Sequence, residues 1–260
     1  MKKVNKSACP DALSHFTTQR PHATWEQLRK SKGRQLYKEI KQLIFTDQGE
    51  LCAYCERNLK DSPQDEKQVE HFHSKSDDSI PNKNWALDWD NMLGVCTGGK
   101  KTKATHPLPE NLSCDAYTNH LEMLELLPKQ CEGYILNPLD ILASPSFFKF
   151  DKATGRLEVN LATSSEYTPR YNQFDTVAEL VSNTINAFNL NCDRLNKDRL
   201  EIFNQYQHQI MIARQRNDEK IHEKLTRAWF NNQWPSFFTT RRILLGSHSE
   251  LYLTSIQYNG

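Results

Sequence analysis

Hydrophobic positions along this chain change their period several times, and each change marks an expected element. Leu36, Ile40, Leu43 and Ile44 recur with helical spacing, and Thr24 followed by Gln27 has the form of a capping box, so one helix is predicted from Thr24 to Phe45. Asp47-Gln48-Gly49 stops it. The short run Val69-Glu70-His71-Phe72, entered through a polar turn at residues 62–67, reads as the end of a strand. Trp85 to Leu93 follows a loop rich in Pro and Asn, with tryptophans placed to fasten that loop to a core. Thr97 to Ser113 shows no period and is predicted to be a loop. Phe147 to Leu161 alternates apolar and polar positions around Asp151 to Gly155, the pattern of a hairpin with Gly155 in its turn. Helical spacing returns at Val177, Leu180, Val181, Ile185 and Phe188, and again from Leu195 to about Arg216. A third helix is predicted near Asp218 to Asn231, ahead of the loop at Pro235. The class is α+β: a helical flank (1–48), a small module (49–125), and a hairpin with a second helical region (126–260).

With 260 residues, 37% of them hydrophobic, the chain has enough material for one sizeable core with or without a satellite. The longest apolar runs are far too short to span a bilayer, and Met1 to Lys6 lacks the apolar stretch of a secretion signal. A cytoplasmic location without membrane contact is expected. The formal net charge of +1 argues against a protein that grips nucleic acid by bulk electrostatics alone. Locally, Lys100, Lys101 and Lys103 follow Cys96 and suggest a positive frame for a phosphate. Arg194, Lys197, Arg199, Arg214, Arg216, Lys220, Lys224 and Arg227 read as solvated helix faces.

The cysteines carry the sharpest chemical signal. Seven is an odd number for a disulfide framework, and four of them cluster: Cys52 and Cys55 two residues apart on a knuckle, then Cys96 and Cys114. Such a set suits a closed, tetrahedral, structural zinc site. Cys9, Cys131 and Cys192 remain as free thiols. Between the two cysteine groups lies Glu70-His71, a carboxylate fit for a hard cation beside an imidazole fit to be a general base. A second carboxylate, Asp115, opens the helix expected after Cys114. Together these residues point to a metal-dependent nuclease. The competing reading is a non-catalytic zinc module that binds nucleic acid or protein, with Glu70 and His71 as scaffold. Glu56 is placed either to cap backbone amides or to approach the site, and His73 reads as a solvated neighbour.

Three strings carry a family resemblance: Val69-Glu70-His71-Phe72, Asp90-Asn91-Met92-Leu93-Gly94-Val95-Cys96, and Ser113-Cys114-Asp115. They resemble the HNH endonucleases and, with Cys52-Ala53-Tyr54-Cys55-Glu56 and Leu87-Asp88-Trp89-Asp90-Asn91, the PtuB type found in Septu and retron anti-phage systems. The resemblance implies a zinc-pinned ββα-metal module with zinc on Cys52, Cys55, Cys96 and Cys114. It implies His71 as general base, Glu70 and Asp115 as ligands of a catalytic magnesium or manganese, and Asn91 as the residue that fixes the loop orienting His71. Glu70 stands where most of the family carry Asp, and Asn119 or His120, one turn beyond Asp115, are alternative metal ligands. As partners it implies a PtuA-type ABC ATPase, a DNA or RNA substrate and, in retrons, the reverse transcriptase with its msDNA.

Overall fold

Thr24 caps its helix as expected: its hydroxyl accepts from Gln27 N at 3.3 Å, and the Gln27 side chain accepts from Thr24 N at 2.8 Å. The computed structural model describes residues 1–127, 131–231 and 233–260. Helix α1 (Asp11–Gln19), not anticipated from the sequence, buries Leu13 and Phe16. The single helix predicted over 24–45 is two, α2 (Trp25–Lys30) and α3 (Gln35–Asp47). Lys32, Gly33 and Arg34 between them take φ values of 46°, 61° and 72°. No apolar side chain from Lys30 to Arg34 ties that stretch to a core, and Gly33 adopts the left-handed conformation without steric cost. The break folds α2 back on α3, so that Leu28, Leu36, Ile40 and Ile44 share one apolar cluster with Leu13, Trp89 and Met92.

Strand β1 (Lys67–His71) pairs antiparallel with β2 (Met92–Cys96), in a register that sets Lys67 opposite Cys96 and His71 opposite Met92. Consequently Cys96 and the Glu70-His71 pair sit at opposite ends of one two-stranded sheet. All five residues of β2 are buried, as its unbroken apolar run Met-Leu-Gly-Val-Cys requires. Helix α4 (Asp115–Met123) starts directly after Cys114.

The predicted hairpin forms as β3 (Phe148–Phe150) and β4 (Leu157–Val159), with Gly155 at φ 75°. A Cβ at Gly155 would lie 2.3 Å from Asn196 O, so glycine there serves close packing as well as the turn. The chain then runs through α5 (Leu161–Glu166), α6 (Val177–Ala187), α7 (Asp193–Gln215) and α8 (Ile221–Phe230). Two further short helices, α9 (Phe238–Leu245) and α10 (Ser247–Ser255), lie beyond the loop at which sequence periodicity ends. The main core joins Phe45, Leu93, Val95 and the cysteine knuckle to Ile135, Phe148, Leu180, Phe188, Leu195 and Leu244. Each such side chain contributes about 1.5–3 kcal/mol on burial, so the knuckle is held by the later helices as well as by its own turn. Among the described residues no helix is long and apolar enough to cross a membrane.

Candidate active site and metal centre

Four sulfurs meet at one end of the β1–β2 sheet. Cys52 and Cys55 flank a tight turn closed by Glu56 N to Cys52 O at 3.0 Å and Cys52 N to Arg57 O at 2.9 Å. Cys96 ends β2 and Cys114 precedes α4. The long insert 97–113 does not separate them, because its ends are joined: Ser113 N donates to Gly98 O at 2.9 Å. A Cβ on Gly98 would stand 2.1 Å from Ser113 O, so only glycine permits that closure. The Sγ atoms lie 3.8 Å (Cys52–Cys114), 3.7 Å (Cys55–Cys96) and 3.9 Å (Cys96–Cys114) apart, and all four are within 4.8 Å of one another. A tetrahedral zinc with bonds of ~2.3 Å requires sulfur–sulfur edges of about 3.8 Å. The residues therefore fit zinc. Backbone donors point at the same cage, Cys96 N to Cys52 Sγ and Gly98 N to Cys96 Sγ, both at 3.4 Å.

At the other end of the sheet, Glu70, His71, Tyr54, Lys75, Asn119 and Glu122 line a cleft of about 230 Å³. His71 is buried, and its ring meets Trp25 edge-on at 4.5 Å. Its Nε2 lies 3.1 Å from Ala86 O. A carbonyl can only accept, so Nε2 carries the proton and Nδ1 keeps the lone pair. Burial, with the positive charge of Lys75 and Lys6 in support, lowers the His71 pKa to about 4, so the ring is neutral at neutral pH.

Glu70 and Asp115 face one another. Asp115 is buried at the first position of α4, and Asn119, one turn on, donates to its Oδ1 at 2.7 Å. Burial, then the charge and hydrogen bond of Asp115, raise the Glu70 pKa well above its ordinary value, while Lys75 opposes the shift. Two carboxyl groups held this close, Glu70 half-buried and Asp115 buried, cannot both ionise without a nearby positive charge, and are a donor set that an oxygen-seeking dication relieves. Of the two alternative ligands one turn beyond Asp115, Asn119 lines the cleft, whereas His120 packs near Tyr117.

Asn91 is buried between the segments that carry His73 and Trp85. Its Oδ1 accepts from His73 N at 2.6 Å, and its Nδ2 donates to His73 O and to Trp85 O, each at 2.9 Å. One side chain thus clamps the segment after His71 to the segment carrying Ala86. His73 is not solvated, contrary to the sequence reading. It is 8% exposed, stacks on Trp85 at 3.8 Å, and bridges Asp77 (2.6 Å) and Glu132. The carboxylates that bury it come from distant or polar segments that no local period marks.

The register also corrects the expectation for the lysine loop. Lys101 pairs with Asp65 at 2.6 Å and with Glu66 at 3.4 Å, next to the Lys67 end of β1, so the lysine loop sits away from the Glu70-His71 cleft. Among the described residues the cation lining the cleft is Lys75, which sequence analysis passed over because it stands alone in a polar loop. Of the two roles open to Glu56, it takes that of capping a backbone amide: its carboxylate accepts from Thr239 N at 2.9 Å and pairs with the Met1 ammonium at 3.1 Å. Arg194 and Arg199, read as solvated, are buried.

No family model matches the chain. A curated relative does: over 246 residues the chain is 38% identical to a protein named as a candidate HNH endonuclease of retron Ec83 in Escherichia coli, covering 94% of this chain and 93% of the relative. The match thus spans nearly the full length of both chains. The protein is a nuclease, and it belongs to the HNH endonuclease family.

Proposed function

We propose that the chain hydrolyses phosphodiester bonds in DNA or RNA with His71 as general base and Glu70, Asp115 and Asn119 as the oxygen donors for one magnesium or manganese ion. The observation that carries this reading is the bond from His71 Nε2 to Ala86 O, which leaves Nδ1 as the ring's acceptor on a side chain lining the same cleft as Glu70. In this reading β1, β2 and α4 form the ββα-metal module within residues 49–125, and a structural zinc on Cys52, Cys55, Cys96 and Cys114 pins it between the helical regions. When bound, the dication supplies charge neutralisation at the phosphorane and the leaving oxygen.

The protein's own groups do the rest. His71 Nδ1 takes a proton from the attacking water, and its neutrality at working pH makes the lone pair available. Asn91 keeps the imidazole and its carbonyl partner in one geometry through His73 and Trp85. Lys75, exposed at the cleft mouth, contacts a phosphate of the substrate.

The retron setting of the relative and the PtuB-type strings support a role as effector of a cytoplasmic anti-phage system. A PtuA-type ABC ATPase is the proposed partner, together with the retron reverse transcriptase and its msDNA. The net charge of +1 supports delivery of the substrate by such a partner rather than by long-range attraction. The test is cleavage of plasmid, single-stranded DNA and RNA by the chain with its partner in magnesium or manganese, compared with His71→Ala and Glu70→Gln. Wild type should cut in a dication and stop on chelation, and both variants should leave every substrate intact. Wild-type rates in His71→Ala would move the base elsewhere.

A further inference from the structure

Arg194, the second residue of α7, is 5% exposed, and among the described residues its side chain forms one hydrogen bond, from Nη2 to Ser113 Oγ at 2.8 Å. Its Nε and Nη1 are buried and have no acceptor among the described residues. A Cβ on Gly99 would meet Nε at 2.9 Å and Nη2 at 3.0 Å, so the guanidinium fills the room that glycine leaves. Ser113 precedes Cys114 and Gly99 follows Cys96, which wedges the cation between the two segments that bring those sulfurs together. Arg199 makes the contrast. It is equally buried, yet its Nε donates to Gly155 O at 2.8 Å and its Nη2 reaches Asn196 Oδ1 at 3.0 Å, so backbone and amide oxygens explain its place.

A buried guanidinium with empty donors is costly unless an anion stands near it. The segments packed around Arg194 are those that carry Cys96 and Cys114, and the carboxylate of Asp198, one turn along α7, also feels its charge. Four thiolates around one zinc dication carry a net charge of about −2, and the cage is itself fully enclosed. Each charge is unexplained alone and complementary to the other.

We propose that Arg194 is the counter-cation of the four-cysteine centre, supplying from α7 the positive charge that lets a buried thiolate cage retain zinc. The proposal rests on the zinc reading of that cage. It makes metal retention depend on the later helical region, through a positioning residue that ligates nothing. Replacing such an outer partner typically lowers metal affinity about 10–100-fold.

The test is zinc transfer from the purified full-length chain to a chromogenic chelator, with zinc content and near-UV circular dichroism measured on the same samples. Arg194→Met, which keeps bulk without charge, should release zinc about 10–100-fold faster than wild type. Arg194→Lys should stay close to wild type, and Ser113→Ala, which removes only the hydrogen bond, should not change the rate. Wild-type retention in Arg194→Met, or equal loss in the Met and Lys variants with the fold intact, overturns the proposal. If Arg194→Met does not fold, the comparison of Arg194→Lys with Arg194→Gln decides by the same criterion. A wild-type chain that carries no zinc overturns the metal reading itself, which is a distinct result.

Discussion

His71 donates its Nε2 proton to the carbonyl of Ala86 across 3.1 Å, and this one bond decides which ring nitrogen is free to accept a proton. Ala86 is held in turn by its neighbour Trp85, whose carbonyl accepts from Asn91 and whose indole stacks on His73. The proposed base and the residues that aim it form one connected unit.

The tautomer and the pKa are both measurable. In the metal-free protein, nitrogen-correlated NMR should show His71 as the Nε2–H form with a titration midpoint near 4. The sign follows from linkage. A histidine whose folded pKa is lowered contributes stability that is present above its unfolded value of 6.5 and lost as pH falls through about 4, amounting to about 3 kcal/mol at full protonation. A midpoint near 6.5 would refute this.

Asn91→Ala should lower the unfolding free energy by about 2–4 kcal/mol and reduce cleavage, because it strands backbone groups of His73 and Trp85 in a buried place. Asn91→Asp keeps the acceptor for His73 N and loses both donors, so it should also fail in activity. Denaturant titration and a cleavage assay read the two effects separately.

In the proposed site Glu70 and Asp115 set the metal dependence. The raised Glu70 pKa means the folded state holds a proton that the unfolded state has released, so metal-free stability should fall as pH rises above the ordinary carboxylate range. Magnesium or manganese should raise the melting temperature more at pH 8 than at pH 5. Glu70→Gln should flatten both the pH trend and the metal effect; a metal shift that survives in Glu70→Gln would place the ion elsewhere.

Lys75 and Lys101 should behave oppositely. Lys75→Ala should weaken substrate binding and reduce the salt slope of log Kd by about 1. Lys101→Ala breaks a surface pair with Asp65 and should leave binding unchanged. Salt-dependent binding on one labelled strand distinguishes them.

The cysteine cage should hold one zinc per chain by atomic emission. Cys52→Ser or Cys114→Ser should lose it and unfold the knuckle, since both sulfurs are fully enclosed and edge-sharing at 3.8 Å. Retention of stoichiometric zinc in both variants would rule out the four-sulfur site.

Local pattern was enough for the elements whose signal is repeated or chemically distinctive. The capping box at Thr24, the hairpin turning at Gly155, the helix after Thr176 and the start of α4 at Asp115 each rest on residues adjacent in the chain. The break at Gly33 escaped notice because apolar spacing on both sides continues in phase, while only packing of α2 on α3 rewards the interruption. Short α9 and α10 lack enough turns for a period to stand out. The cage was visible as a spacing, but its closure across the insert depends on Gly98 meeting Ser113, a contact between segments.

By itself the sequence determined which chemistry was on offer: four thiols suited to zinc, an imidazole beside a carboxylate, and an Asp at a helix start. Residue type and short spacing are properties of the chain alone. Only the tertiary structure decided which nitrogen of His71 is bare, that His73 is an enclosed bridge, that Lys75 lines the cleft while Lys101 pairs with Asp65, and that Arg194 is wedged between the segments that carry Cys96 and Cys114. Burial and charge pairing depend on groups far apart in the chain, and those distances exist only once the core has closed.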